Sequence, residues 1–280
     1  MSLIWGYNWI AMKIALAYSS PMDAAAVRFT LGAATLIPAA VYMGYGLAMP
    51  RNEWRYVAVL SVALAMNFAF TLYALGLGGV GKTAVLVYTM PFWVILFARV
   101  WLKERMRPAQ WVAVGFALAG LAVLVDVVNL RGWLPSLLAT ISGASWAASV
   151  VFIKSIQGRI RTHLMTLTVW QMGVCAVLLW TLAGLTGTPP IQWTWPFVLA
   201  IGFSAILGSA LSWMLFYYAL ARLPASMAGL GTLATPVIGV AAAWLHLGER
   251  PGAQDALGML LIVAGLLLLS VPGLTARVLR

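Results

Sequence analysis

Of 280 residues, 63% are hydrophobic and 8% are charged, where an average soluble domain carries about 25% charged residues. That leaves too few polar groups to clothe a water-soluble fold of this length and points to a chain that crosses a membrane repeatedly. The net charge of +11 does not make it a nucleic-acid binder: there is no basic, aromatic-studded soluble segment, and Lys and Arg in such a chain collect in cytoplasmic loops beside anionic lipid.

In chain order, apolar runs of about 20 residues, the length that crosses the hydrocarbon core, fall at 2–18, 23–46, 53–77, 80–102, 108–126, 132–156, 163–186, 195–220, 224–247 and 252–272. No basic region precedes the first run, which reads as a retained helix rather than a cleaved leader. Turn formers and charges separate the runs, among them Ser19-Ser20-Pro21, Pro50-Arg51-Asn52, Gly187-Thr188-Pro189-Pro190 and Arg250-Pro251-Gly252. The pattern predicts an all-α integral membrane protein with ten transmembrane helices.

Loop charge orients them. Alternate loops and the C-terminus carry Arg51, Arg55, Lys103, Arg105, Arg107, Lys154, Arg159, Arg161, Arg222, Arg277 and Arg280, while the opposite loops carry only Lys82, Arg131 and Arg250. Lys13, Arg28 and Arg99 lie inside helices, with Arg99 near a cytoplasmic end as an anchor. This asymmetry puts both termini in the cytoplasm.

The turn after the third run reads GLGGVGKT over residues 76–83, which matches the phosphate-loop pattern letter for letter. AVLVD at 122–126 has the form of a magnesium-holding segment. The context argues against a nucleotide site. The turn falls on the outer face, apolar helical runs flank it, and no soluble segment is long enough to build a nucleotide domain. The glycines are read as letting two helices turn back tightly, and Asp126 as a helix-end charge. No nucleotide hydrolysis is expected.

An internal duplication supports this. At an offset of 145, Tyr73-Ala74-Leu75 falls on Tyr218-Ala219-Leu220, and Pro91 falls on Pro236. Leu102, Glu104 and Arg105 fall on Leu247, Glu249 and Arg250, and Gly120 falls on Gly265. Near the start of each half the offset is 141, placing Trp5 on Trp146 and Lys13 on Lys154. The counterpart of GLGGVGKT is ARLPASMA at 221–228, which has no phosphate-loop character. The halves, 1–127 and 131–273, carry five helices each. Five is odd, so the repeats are predicted to be inverted, an arrangement of secondary transporters with the substrate path between the repeats.

The sequence resembles the drug/metabolite transporter superfamily, in its ten-helix branch of two EamA-type repeats. The features that carry the likeness are WGYNWIAMK (5–13), P-x-x-x-x-x-x-R-F (21–29), Pro91, L-K-E-R (102–105) and P-V-I-G…L-G-E-R (236–250). The resemblance implies export of small metabolites, often amino acids and in some relatives aromatic ones, from the cytoplasm across a bacterial inner membrane. Eukaryotic branches carry nucleotide sugars or phosphorylated sugars, so a carrier of anionic metabolites is the alternative.

Polar groups inside a membrane are costly and mark candidate sites. Asn8 and Asn67 lie near mid-membrane and read equally as inter-helix glue or as substrate contacts. With Tyr73, Tyr88, Trp146, Trp170 and Gln171 they form the candidate substrate site, an aromatic-rich path suited to apolar side chains. Trp54, Trp193 and Trp195 at span ends read as interfacial belt residues. Lys13, Arg28 and Lys82 are candidate anion contacts; for Lys13 and Arg28, snorkelling with Asp23 as partner is the structural reading. Pro91 and Pro236 are candidate hinges. Cys175, the lone cysteine, reads as a packing residue.

All six acids stand at or near span ends, so no mid-membrane carboxylate serves a cationic drug or a proton. Facilitated movement down the substrate's own gradient is therefore expected. His163 and His246 fall on opposite faces without partner clusters. No metal site, cofactor or catalytic constellation is expected, which argues against the other class of function, a membrane enzyme or receptor.

Overall fold

The computed structural model describes residues 1–103, 108–125, 133–156, 159–215 and 234–270, and the regular structure among them is helical, with no strand. Helix α1 spans Ser2–Ala15, α2 Pro21–Tyr42, α3 Trp54–Leu77, α4 Val80–Val87, α5 Met90–Trp101 and α6 Pro108–Val125. They are followed by α7 (Trp133–Ile156), α8 (Leu164–Thr186), α9 (Trp195–Gly202), which continues directly as a π-helical stretch over Phe203–Leu211, α10 (Ala234–Leu247) and α11 (Ala253–Ser270). Glu104, Arg105, Asp126, Tyr218 and the turn at 221–228 lie outside the described residues.

Local chemistry sets the ends. Ser20 caps α2 by accepting from the Asp23 N–H at 3.1 Å, Pro21 fills the first turn where its missing N–H costs nothing, and Ser20 Oγ donates to Asp23 Oδ2. Thr188 Oγ1 also donates to Asp23 Oδ2, at 2.9 Å. Asp23 is thus used in a cap and not as a partner for Lys13 or Arg28. Gly187 ends α8 at φ 58°, the left-handed conformation that suits glycine.

Among the described residues, six stretches are long and apolar enough to cross a membrane: Pro21–Tyr42, Arg51–Leu77, Val80–Trp101, Trp133–Ile156, Leu164–Thr186 and Trp195–Leu215. Trp111–Leu124, Thr235–Leu247 and Ala253–Leu268 are shorter apolar helices. Leu3, Val41, Val100, Trp111, Leu185 and Leu260 point outward, a surface that suits lipid and not water.

The predicted runs 2–18 and 23–46 end earlier, at Ala15 and Tyr42, and the predicted fourth run is two helices with a break at Tyr88-Thr89. Pro91 explains the break. It has no N–H to donate to the carbonyl four residues back, that of Val87, and its ring clashes there. The helix stops at Val87, a turn forms with Thr89 N–H and Oγ1 both on Leu86 O (3.1 and 2.7 Å), and Pro91 reappears in the first turn of α5.

The packing partners come in pairs. Helix α2 lies on α8, α4 on α10 and α6 on α11. Helix α3 packs on α7, and α1 on α9 with its π-helical continuation. Helix α1 also packs on α10, and α7 on α4 and α5; α3 packs on α8, and the π-helical stretch on α2. Close approach of α6 and α11 depends on glycine: a Cβ on Gly120 would stand 2.6 Å from Gly258 O.

Candidate functional site

The site is built on the π-helical stretch. Ser204 and Ser209 are five residues apart, a spacing that turns two side chains about 140° from each other in an α-helix. The wider π turn brings them to one face and bonds Ser209 Oγ to Ser204 O at 3.2 Å. Such turns recur at functional positions.

Helices α1 and α2 meet that face. Ser204 Oγ donates to Asn8 Oδ1 at 2.6 Å, Trp5 Nε1 donates to Gly208 O at 2.9 Å, and Arg28 Nε donates to Ser209 Oγ at 3.0 Å. Gly208 leaves room for the Asn8 amide, because a Cβ would stand 2.7 Å from Asn8 Oδ1. Arg28 is 4% exposed, with its guanidinium carbon 4.5 Å from the Phe68 ring centroid and 5.8 Å from that of Phe29. It lies within electrostatic reach of the Tyr88 hydroxyl and the Cys175 thiol.

A chain of edge-on rings runs beside these groups. Trp9 meets Tyr88 at 6.4 Å, Tyr88 meets Trp146 at 6.0 Å, Trp146 meets Trp5 at 6.5 Å and Trp5 meets Trp213 at 6.2 Å between centroids. Tyr88 occupies the break between α4 and α5, and α7 backs onto that break at Gly143, where a Cβ would stand 2.8 Å from Val87 O. The candidates Asn8, Tyr88, Trp146 and Arg28 are therefore gathered around one buried region, which Trp5, Ser204 and Ser209 complete.

The other candidates lie elsewhere. Asn67 Nδ2 donates to both Ser142 O and Ser142 Oγ at 2.8 Å, Ser142 Oγ donates back to Asn67 O at 2.9 Å, and Thr71 Oγ1 shares a 2.6 Å bond with Ser142 Oγ. These bonds join α3 to α7. Trp170 Nε1 donates to Leu47 O at 2.9 Å, and its ring stands edge-on to Trp54. Gln171 Nε2 donates to Leu60 O at 3.1 Å, and Ser61 Oγ donates to Gln171 O at 3.1 Å, which clasps α8 to α3. Trp170 belongs to a second, smaller core around Val57, Leu60 and Leu167. Tyr73 is half-buried against the main core. Pro236 stands in the first turn of α10, and the residues before Ala234 are outside the described ones.

Two of the candidate cations are already partnered. Lys13 Nζ donates to Leu75 O at 2.7 Å and Gly78 O at 2.9 Å, and Lys82 Nζ lies 3.3 Å from Asp255 Oδ1. Val80 N–H donates to Glu249 Oε2 at 2.7 Å. The GLGGVGKT turn is thus held by α1, by the residue two beyond α10, and by α11, with a backbone amide that a phosphate loop would offer to its ligand engaged by a carboxylate instead. At the opposite end of α3, Glu53 accepts from the Arg161 N–H at 2.8 Å and the Thr162 N–H at 3.2 Å. His163 Nδ1 caps α8 at Met165 N–H, and His246 stands edge-on to Tyr7. No group of His, Cys, Asp and Glu that could hold a metal occurs among the described residues.

Sequence reasoning missed Ser204 and Ser209 because a 3.6-residue period puts them on different faces. Trp5 carried a signal, its correspondence with Trp146.

Comparison with known proteins gives a consistent picture. The model of the EamA-like transporter family matches residues 1–126 and again residues 133–271. The chain is 26% identical over 275 residues to "Uncharacterized transporter YoaV" of Bacillus subtilis strain 168, covering 95% of this chain and 92% of that protein. It is 29% identical to the "Riboflavin transporter" of Rhizobium johnstonii, over 92% of this chain and 82% of the relative. It is 25% identical to the "Probable amino-acid metabolite efflux pump" of Salmonella typhimurium, over 94% and 90%. A crystal structure at 23% identity superposes with a TM-score of 0.69 over 100% of this chain and 96% of the other, which shows a shared fold.

Proposed function

The chain belongs to the EamA-like transporter family, and on that premise we propose that it exports small metabolites, neutral or aromatic amino acids foremost, across a bacterial inner membrane. The observation that carries this reading is the run of rings Trp9, Tyr88, Trp146, Trp5 and Trp213, of which Trp9, Tyr88 and Trp5 are buried and Trp146 and Trp213 half-buried. It passes from one half of the chain to the other, beside a broken helix. Rings in such a position suit an apolar or aromatic side chain, and broken helices accompany transporter sites. The relative named as an amino-acid metabolite efflux pump supports the substrate class.

Ten helices in two inverted repeats, 1–127 and 131–273, are supported by the two family matches and by the paired packing, in which exchanging the halves maps α3–α7 onto α9–α1 and α1–α10 onto α7–α4. The mechanism we propose is alternating access, with the repeats rocking at the α4–α5 break. Among the described acids, Asp23, Glu53, Glu249 and Asp255 all hold structural bonds. Movement should therefore follow the substrate's own gradient.

The test is counterflow of radiolabelled L-phenylalanine, L-tryptophan and L-leucine in proteoliposomes. Wild type should exchange at least one of them, and Trp146→Ala and Tyr88→Ala should cut that exchange while the protein stays folded. Equal kinetics in wild type and both variants would remove the site. Uphill accumulation on an imposed pH gradient, abolished by a protonophore, would overturn the facilitative mechanism. Reagents applied from outside should label Thr188→Cys and spare Asn52→Cys; the reverse would invert the topology.

A further inference from the structure

Among the described residues, Arg28 is a buried cation that no carboxylate pairs with. It is 4% exposed, and the one hydrogen bond its guanidinium makes among the described residues is from Nε to Ser209 Oγ. Phe68 and Phe29 offer it ring faces, a partial compensation. No hydrogen bond reaches its two terminal nitrogens. A guanidinium carries five N–H donors in a rigid fork, so most of its capacity is unused. The same holds one step away: Asn8 accepts from Ser204 through Oδ1, and no bond uses its Nδ2. Arg28, Ser209, Ser204 and Asn8 form one connected line, which fixes the orientation of both open donors.

A buried cation without a counter-charge is costly, and one that persists invites an anion. Resting on the transport reading above, we infer that Arg28 is the receptor for the carboxylate of the transported molecule, with the Asn8 amide as a second donor and the Tyr88–Trp146–Trp5 rings taking the apolar part. The charge balance selects a monocarboxylate over a phosphate. Arg28 contributes a single positive charge; Lys13 is occupied by two carbonyls and Lys82 by Asp255. The planar fork matches a carboxylate in a two-point contact. Serine at 209 holds the fork through Nε and leaves the terminal pair to the ligand.

The experiment uses the purified full chain and three probes: phenylacetate, its methyl ester and phenyl phosphate, each against an equal concentration of sodium chloride. A ligand that binds the folded state raises the thermal unfolding midpoint. Phenylacetate should raise it saturably in wild type, the ester and chloride should leave it unmoved, and phenyl phosphate should act more weakly. Arg28→Gln should weaken phenylacetate binding about 10- to 100-fold, the loss expected for hydrogen bonds to a charged group, and Arg28→Lys should restore part of it. An equal response to the ester, tighter binding of phenyl phosphate, no response to phenylacetate in wild type, or undiminished binding in Arg28→Gln would each overturn the assignment. Should Arg28→Gln fail to fold, the ester comparison and Arg28→Lys still decide. Flux separates the two readings. L-phenylalanine counterflow with an unchanged KM in Arg28→Gln refutes the receptor and keeps the transporter. Arg28-dependent phenylacetate binding without flux of any amino acid keeps the receptor and refutes amino-acid export.

Discussion

Two seams of the bundle, each packing helices from the first half of the chain on helices from the second, solve the same problem differently. Where α3 meets α7, Asn67, Thr71 and Ser142 spend their hydrogen bonds on one another. Where α1 and α2 meet the π-helical stretch, Asn8 and Arg28 are each held by one serine and keep donors in reserve. A polar cluster in a membrane bundle whose donors are all spent on one another acts as glue. A cluster held in place yet left open has capacity for a ligand. Asn8 and Asn67 are the same residue and both buried, and what distinguishes them is their partners.

The comparison breaks most severely at its glycines. Gly143→Val puts a side chain against the Val87 carbonyl, where the Cβ alone would stand at 2.8 Å. Backbone cannot step aside cheaply, and the α4–α5 break behind it must move. The expected cost is about 3 kcal/mol or more, read as loss of monodisperse folded protein in detergent. Normal yield and midpoint would show that the break is soft.

Ser142→Ala comes next. It removes the hydroxyl that serves Asn67 and Thr71 but leaves the Ser142 carbonyl for Asn67 Nδ2. Interhelical bonds in membranes are worth about 0.6 to 1.7 kcal/mol, so the unfolding midpoint should fall by a few degrees while KM for the transported substrate stays put. A raised KM would place this seam in the substrate path and erase the distinction between the two.

Gly208→Ala tests the open seam with a smaller change in stability. Its Cβ would stand 2.7 Å from Asn8 Oδ1 and 3.0 Å from Asn8 Cγ. Unlike the Val87 carbonyl, a side-chain amide can rotate away. The midpoint should stay within about a degree, helped by the better helix propensity of alanine, while the Ser204–Asn8 bond is lost and KM rises several-fold. Unchanged transport kinetics would mean that Asn8 is glue after all.

How much of this was legible follows from which interactions are local. Pro91 announces its own break, because a proline frees the carbonyl four residues back and Val87 is that residue. The cap at Ser20 and Asp23 is equally local. By contrast Lys13, Arg28 and Lys82 look alike as letters. Lys13 differs because α1 runs beside the end of α3 and meets the carbonyls of Leu75 and Gly78, 62 and 65 positions away, where no side chain gives a sign. Trp170 and Gln171 are cavity candidates by type and position in their run, and nothing in the sequence shows that their polar atoms reach Leu47 O and Leu60 O. The π register is the least legible feature. It changes which serines share a face, Gly202 at its start does not by itself announce the wider turn, and the long-range partners Asn8 and Arg28 lie in the opposite half of the chain.

Lys82→Ala should have the smallest effect, and it returns to the turn that looked most like a nucleotide site. The pair with Asp255 spans 3.3 Å, with the side chains 26% and 37% exposed. Exposed pairs contribute about 0 to 1 kcal/mol. Asp255 stands in the first turn of α11, where a carboxylate is favoured even without a cation. The stronger holds on the turn, Lys13 on two carbonyls and Glu249 on the Val80 amide, are untouched. The midpoint should therefore shift by no more than about a degree, counterflow should persist at near wild-type KM, and neither protein should release phosphate from ATP. If transport were abolished with the fold intact, the reserve of binding capacity would lie at this end of the bundle. Lys82, in place of Arg28, would then be the cation that meets the substrate, and the contrast between the seams would describe packing alone.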